Sequence, residues 1–351
     1  MKKIEYNGQS MTTQEENELT NEQFQQLKKE YYSKPNKKEI VNEIANIVSQ
    51  NGTKNSNITN YYFKDLMAKT RVYFNKWSIE DCFNHKPLLD MFYSRTLRND
   101  KVYTSTNLLD NIETAFRLGG KGTASKVANF PIETVDEIFK RYNVNNNYYD
   151  MSCGWGARLT SALKNKVNYY GTDPNYLLVE RLNEFYNDWC EITHTKPKVE
   201  IRCQGSEEHV GHWENIMGLC FTSPPYFYLE DYKIGNQSYK EGTSYESWKD
   251  NYLKGTIKNC YSYLIDNGYL AINIKDFDKF PLEQDTQNIA EEIGFVLVEK
   301  INLKNIARCK STGEMGDSDE NIMVFMKKGF EHLHIPYQEP EQLTIFDFIE
   351  E

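Results

Sequence analysis

Seven short apolar segments alternate with helix-like segments over the second half of the chain, and this alternation constrains the fold most. The strand-like segments are 147–151, 167–172, 198–203, 217–222, 268–274, 295–302 and 321–327. Helical patterns such as 176–192 and 245–265 lie between most of them. Parallel strands need crossover connections of this kind. The pattern therefore predicts an α/β fold with a mostly parallel, seven-stranded sheet and helices on both faces.

The composition divides the 351-residue chain into four predicted parts. These are a polar, partly helical segment over 1–60, an aromatic-rich helical region over 61–128, a catalytic domain over 129–328 and an acidic tail over 329–351. In the first part, short helices are expected near 21–32 and 38–49. Apolar positions there are too sparse to predict a robust core. The sequence leaves the oligomeric state open.

Composition also predicts the compartment. No window approaches the roughly 18 apolar residues of a membrane span, so we expect no membrane association. No apolar run follows Lys2 and Lys3, which predicts that there is no signal peptide. The seven cysteines include no CxxC pair, which is typical of reduced thiols in the cytoplasm.

A glycine turn follows the first strand of the predicted sheet. Asp150, Ser152, Gly154 and Gly156 lie in this turn, and Asp173 ends the next strand. Glycines let the backbone approach a ligand closely, and an acid at the end of the second strand can accept hydrogen bonds from ribose hydroxyls. The turn lacks the third glycine of the dinucleotide pattern, which favours S-adenosylmethionine over NAD. The alternative is a plain strand–turn–helix corner with a surface acid.

The strand at 217–222 runs directly into Ser223-Pro224-Pro225-Tyr226. Two prolines fix the backbone and remove two amide donors, which leaves carbonyl oxygens and the serine hydroxyl as acceptors. Such acceptors can hold the hydrogens of an aromatic amino group and stabilise the charge that develops on its nitrogen during methylation. Tyr226 offers a flat surface on which an extruded base can stack. The alternative is a rigid proline turn without a ligand.

These motifs resemble those of the amino-methylating DNA methyltransferases, which modify cytosine N4 or adenine N6. The stretch 150–156 is similar to the family's first motif, Asp173 to its ribose-binding acid, and 223–226 to its catalytic tetrapeptide. The resemblance covers about 128–328 and implies a Rossmann-like class I fold, S-adenosylmethionine as cofactor and a flipped DNA base as substrate. It also implies that Phe130 covers the methionine end of the cofactor and that Ser206 lies near its adenine ring.

The resemblance leaves the substrate partly open. Serine at position 223 is similar to the cytosine-N4 members more than to the adenine members. The stretch after the tetrapeptide is similar to methylase-like proteins of phage origin. Alternatives are the same fold acting on RNA, on a nucleotide or on hypermodified phage DNA, and a non-catalytic DNA- or cofactor-binding protein. The target sequence and any restriction partner are open.

The sequence departs from the family in one respect, because no long insertion follows the catalytic loop to read a target sequence. DNA recognition is then expected to involve residues 1–128. Residues 1–140 carry 20 Lys and Arg against 18 Asp and Glu, in a chain of net charge −10. A basic, aromatic face around Arg95, Arg98 and Arg117 could contact DNA, and a solvated helix face is the alternative.

Two further motifs complete the sequence predictions. His209 and His212 have HxxH spacing, but no acid or cysteine has ligand spacing to them, so no metal site is predicted. In the tail, a short segment resembles the peptide with which bacterial replication and repair proteins bind the sliding clamp. Its anchor residues are Gln342, Leu343, Ile345 and Phe346. The alternative is that this segment folds back onto the protein's own core.

Overall fold

The computed structural model of the protein describes most of the chain. The described residues are 2–13, 17–49, 57–72, 75–98, 102–118, 122–233, 237–239, 243–302 and 320–329. The predicted clamp-binding peptide at 342–346 and most of the glycine cluster at 119–122 lie outside them. Among the described residues, no helix has both the length and the apolar character needed to cross a membrane.

Eleven strands occur in the described part of the chain. They are β1 (Lys2–Tyr6), β2 (Gln9–Thr13), β3 (Arg71–Val72), β4 (Asn147–Asp150), β5 (Asn168–Thr172), β6 (Val199–Arg202), β7 (Met217–Thr222), β8 (Glu230–Asp231), β9 (Leu264–Ile274), β10 (Phe295–Asn302) and β11 (Asn321–Lys327). Seven of them form the central sheet, in the order β10-β11-β9-β7-β4-β5-β6. In that sheet β11 runs opposite to the other six strands, which share one direction. The predicted Rossmann-like fold with a mostly parallel seven-stranded sheet is confirmed.

The helices in the described residues are α1 (Asn21–Tyr31), α2 (Lys37–Ser49), α3 (Ile58–Lys69), α4 (Ile79–Asn84), α5 (Lys86–Thr96), α6 (Leu108–Arg117), α7 (Ile132–Tyr142), α8 (Ala157–Lys164), α9 (Tyr176–Thr193), α10 (Tyr245–Trp248), α11 (Lys254–Tyr263) and α12 (Leu282–Ile293). The predicted helices near 21–32 and 38–49 are α1 and α2. A π-helical turn at Lys249–Leu253 joins α10 to α11.

Helices cover both faces of the sheet, and the strand residues show why. Neighbouring side chains on a strand point to opposite faces. Accordingly Tyr148 and Leu219 pack in one buried cluster with α7, α8 and α9, whereas Tyr149 and Cys220 pack in another with α11 and α12. The chain leaves β4 towards β5 on one side and later returns to β7 on the other. In such a sheet, ligands bind outside the carboxyl ends of the strands where the order reverses.

The N-terminal helices divide between two buried clusters, and this division does not follow the boundaries predicted at 60 and 128. Ile44 and Phe63 of α2 and α3 belong to the same buried cluster as one face of the sheet. Ile4 and Leu27 instead share a third cluster with the aromatic residues of α4 to α6. The hairpin β1–β2 was not predicted, although its turn is Asn7-Gly8. Both turn residues have positive φ (50° and 73°), the conformation that an Asn-Gly hairpin turn requires.

Candidate active site

A cavity of about 1190 Å³ opens at the carboxyl ends of β4, β5, β7 and β9. The predicted site residues that line it are Phe130, Ser152, Gly154, Asp173, Ser206, Ser223, Pro224, Pro225 and Tyr226. Residues that lie more than 90 positions apart in the sequence therefore share one cavity. Asp150 and Gly156 are not among the lining residues.

Asp150 lies behind the cavity wall, paired with Arg158, and its contact with the cofactor stays a prediction. Its carboxylate is fully buried and accepts a hydrogen bond from Arg158 Nε (2.9 Å). The hydroxyls of Tyr169 (2.9 Å) and Thr222 (3.2 Å) donate to the same carboxylate. Burial alone would lower the pKa of Arg158, but the Asp150 carboxylate outweighs it and raises that pKa above its usual value. Asp150 thus joins the glycine turn to the end of β7, immediately before Ser223.

Gly156 also lies outside the cavity lining, and its glycine is needed for the backbone conformation of the turn. It precedes α8 with φ 78°, in the left-handed region that favours glycine. A Cβ built there would lie 2.8 Å from Phe63 Cε2, so α3 packs directly against the turn. Gly154, with φ 55°, does line the cavity.

Asp173 lies at the carboxyl end of β5, as predicted. Burial raises the pKa of Asp173 to about 6. The backbone N–H groups of Asn175 and Gly154 oppose this shift because they donate to its carboxylate, and the Asn175 N–H lies 3.0 Å from Oδ1. The site therefore holds a carboxylate whose charge is incompletely compensated, which suits a ligand that brings hydroxyl donors.

Ser152 and Ser206 are linked to the π-helical turn and α11. Tyr252, in that turn, places its hydroxyl 3.3 Å from Ser152 Oγ. Ser206 is buried, and its hydroxyl lies 2.7 Å from that of Thr256. Tyr252 lines the cavity and was missed by the sequence reasoning. Single-turn π-helical segments are frequent at functional sites, but the sequence pattern of 245–265 predicts only a continuous helix.

The loop Ser223-Pro224-Pro225-Tyr226, the predicted catalytic loop, is held by a residue that the sequence did not single out. Asn273, on β9, donates from Nδ2 to Ser223 Oγ and to the Tyr226 hydroxyl, both at 3.2 Å. The Tyr226 hydroxyl in turn donates to the Asn273 carbonyl (3.2 Å). Asn273 Oδ1 is enclosed and has no hydrogen-bond partner among the described residues. The cavity wall therefore contains an unused acceptor beside Ser223.

Aromatic rings enclose the loop and the cofactor side of the cavity. Tyr226 is 8% exposed, so its ring lies mostly within the wall. Phe130 packs edge-on against Phe221 (5.6 Å between ring centroids), and the Arg158 guanidinium lies 5.9 Å from the Phe130 ring centre. Stacking of a base on Tyr226 stays a prediction.

The two histidines of the HxxH pair bind separate carboxylates. His209 Nε2 lies 2.9 Å from Glu214, and His212 Nε2 lies 2.9 Å from Glu200. Within the described ranges, no group of three His, Cys, Asp or Glu side chains is placed to hold a metal ion.

Comparison with a family model supports an amino-methylating methyltransferase. Residues 217–347, which are 131 of the 351, match a model of N6/N4 methyltransferases described as "DNA methylase". The match includes the catalytic loop and begins after the glycine turn. It supports an amino-methylating class of methyltransferase and S-adenosylmethionine, the predicted cofactor. No curated protein matches the chain.

Solved structures with similar topology are distant. A TehB-like S-adenosylmethionine-dependent methyltransferase from Corynebacterium glutamicum is 14% identical, with 56% of this chain and 88% of that chain covered and a TM-score of 0.38. An S-adenosylmethionine-dependent O-methyltransferase from Thermotoga maritima is 12% identical, with 57% and 67% covered and a TM-score of 0.40. The fold assignment therefore rests on the strand order of the chain itself.

Proposed function

We propose that the protein is an S-adenosylmethionine-dependent DNA methyltransferase that acts on an exocyclic amino group of a flipped base, with cytosine N4 favoured over adenine N6. The observation that carries the proposal is the shared cavity. Ser223, Pro224 and Tyr226 line the same space as Gly154 and Asp173, at the point where the strand order reverses. The match of residues 217–347 to the DNA methylase model supports DNA as the substrate.

The lining residues fit the cofactor. Asp173 supplies a poorly compensated carboxylate for two ribose hydroxyls, and Gly154 allows close approach of the backbone. Phe130 and Ser206 would cover the methionine and adenine ends. When bound, S-adenosylmethionine supplies an electrophilic methyl group on a positively charged sulfur.

The catalytic loop would orient the amino group. The Pro224 carbonyl and Ser223 Oγ are the acceptors for its two hydrogens, because prolines at 224 and 225 leave no competing N–H donors there. Asn273 holds the Ser223 hydroxyl in place by donating a hydrogen bond to it from Nδ2. Acceptors held in place in this way stabilise positive charge on the nitrogen as it forms, and water can take the released proton.

Cofactor binding should depend on pH through Asp173. An ionised carboxylate accepts hydrogen bonds from both hydroxyls, whereas its protonated form accepts fewer. Burial raises the pKa of Asp173 to about 6. Affinity is therefore expected to be low below pH 6, to rise as pH increases through 6 and to level off above it.

Calorimetry with S-adenosylhomocysteine from pH 5 to pH 8 measures this pH dependence of cofactor affinity. Asp173→Asn, the matched control, should bind about 1–3 kcal/mol more weakly at pH 8 and lose the rise near pH 6. A wild-type profile identical to that of the variant would remove Asp173 from the site.

Nucleoside mass spectrometry tests the reaction. Unmodified DNA incubated with the protein and S-adenosylmethionine is expected to yield N4-methylcytosine, and DNA incubated without cofactor is the control. N6-methyladenine alone would reverse the preference based on Ser223. Methylation of RNA in a parallel incubation, with none of DNA, would contradict the proposed substrate.

A further inference from the structure

A second cavity, of about 520 Å³, lies between the N-terminal part and the catalytic domain. Its lining residues are Asn7, Gln9, Lys69, Arg71, Lys76, Trp77, Ser78, Glu80, Asp81 and Lys233. Four of them are cations and two are acids. Three of these cations lie within residues 69–76, and folding brings Lys233 to them from the other part of the chain.

The cations are incompletely neutralised. Arg71 and Lys233 both pair with the single carboxylate of Asp231. Lys76 Nζ donates to the Ser10 carbonyl (2.5 Å), and Lys69 makes no ion pair with any residue that the structure describes. Arg71 Nε has no hydrogen-bond partner among the described residues.

The two lining acids and Asp231 together carry three negative charges against the four positive charges of the cations, so one positive charge is left uncompensated. The Asp81 carboxylate is occupied at the start of α4, where Oδ2 accepts from the Ser78 N–H (2.9 Å) and the Ser78 hydroxyl (3.0 Å). Its Oδ1 accepts from Asn7 Nδ2 (3.3 Å). Glu80 is the other acid. Two of the lysines, Lys69 and Lys76, pair with no described carboxylate. Lysine and arginine donors in this arrangement match a phosphate diester in charge and in hydrogen bonding.

Strand β8 connects this cavity to the active site. Its Glu230 and the following Tyr232 line the active-site cavity, whereas Asp231 pairs with Arg71 and Lys233 lines the second cavity. Over Glu230 and Asp231 this alternation is the one that a strand imposes on its side chains, and Lys233 follows in the left-handed region with φ 60°. Strand β3, which contains Arg71, pairs with β8 in register, with Arg71 opposite Asp231. One extended segment therefore separates the catalytic cavity from the cationic one.

We propose that this cationic cavity binds a backbone phosphate of the DNA strand from which the target base is extruded. The inference rests on the proposed DNA substrate. A base that enters the active site stays joined to its flanking phosphates, so a phosphate site must lie near the wall of that cavity. Phosphate contacts fix the position and register of the protein on DNA and carry no sequence information. The N-terminal part would then place the duplex over the catalytic loop.

The test is the salt dependence of DNA binding, measured by fluorescence anisotropy with labelled duplexes of several sequences and S-adenosylhomocysteine present. Lys69→Gln/Lys76→Gln is expected to weaken binding to every sequence alike and to reduce the slope of log K against log salt by about 1. Lys140→Gln/Lys258→Gln is the matched control. It removes the same charge from the exposed lysines of α7 and α11, two fully described helices that line neither cavity.

Folding and function are monitored separately. Lys69→Gln alone removes no described hydrogen bond, so it should fold normally and show a smaller shift in the same direction. An unchanged slope in the double variant, while the wild-type protein methylates DNA, would overturn the phosphate site and leave the proposed function standing. No DNA binding by the wild-type protein at low salt would overturn both. Tighter binding to an RNA duplex of the same sequence would overturn the assignment to DNA.

Discussion

Replacing Arg158 by alanine is expected to lower the free energy of unfolding by about 3–5 kcal/mol, because it leaves a buried carboxylate without its cation. The side chains of Arg158 and Asp150 are 6% and 0% exposed, and Arg158 Nε lies 2.9 Å from Asp150 Oδ2. Arg158 also donates to the Ser152 carbonyl in the glycine turn. The substitution should therefore loosen the turn as well as the sheet.

Urea denaturation of the cofactor-free protein measures this loss. Arg141→Ala is the matched control, since Arg141 forms an exposed pair with Glu137 at 2.8 Å on the surface of α7. Exposed pairs contribute roughly 0–1 kcal/mol, so the control should change stability little. Equal, small losses in both variants would contradict the structural position of Asp150 and restore it as a candidate ligand for the cofactor.

The sheet could be predicted from the sequence because its strands are buried on both faces. The segment 217–222 is buried throughout and apolar except for Thr222, and turn or helix signals bound it on each side. The glycine turn and the Ser223-Pro224-Pro225-Tyr226 loop each follow such a strand directly. Their meeting in one cavity then follows from parallel strands having their carboxyl ends at the same edge of the sheet.

The direction in which a side chain points could not be predicted from the motif. Asp150 belongs to the glycine-turn pattern, but its side chain binds Arg158, which lies in the first turn of α8. No spacing rule predicts this contact. Asn273 contacts the catalytic loop from a strand 50 residues further on. The cationic cavity joins Arg71 to Lys233 across more than 160 residues. These contacts join residues far apart in the chain, so local sequence patterns do not predict them.

Replacing Ser223 by alanine is expected to reduce the rate of methyl transfer by about 100- to 1000-fold, the usual effect of losing one preorganised hydrogen-bonding group in an active site. Cofactor affinity should stay unchanged, because Ser223 lies on the catalytic loop and the predicted cofactor contacts lie on other elements. Single-turnover transfer of a tritiated methyl group to DNA measures the rate, and calorimetry measures the affinity. Ser262→Ala, which removes a half-buried hydroxyl of α11 outside the cavity lining, is the control.

Asn273→Ala distinguishes a positioned serine from a merely adjacent one. If Asn273 acts by holding the Ser223 hydroxyl, the rate should fall in the single variant, and the Ser223→Ala/Asn273→Ala double variant should be little slower than Ser223→Ala alone. Asn273 also bonds Tyr226, so part of its effect should remain in the double variant. Fully additive losses would show that Asn273 acts independently of Ser223. In that case its unpaired Oδ1, beside the catalytic loop, would be the acceptor to test next for contact with the amino group.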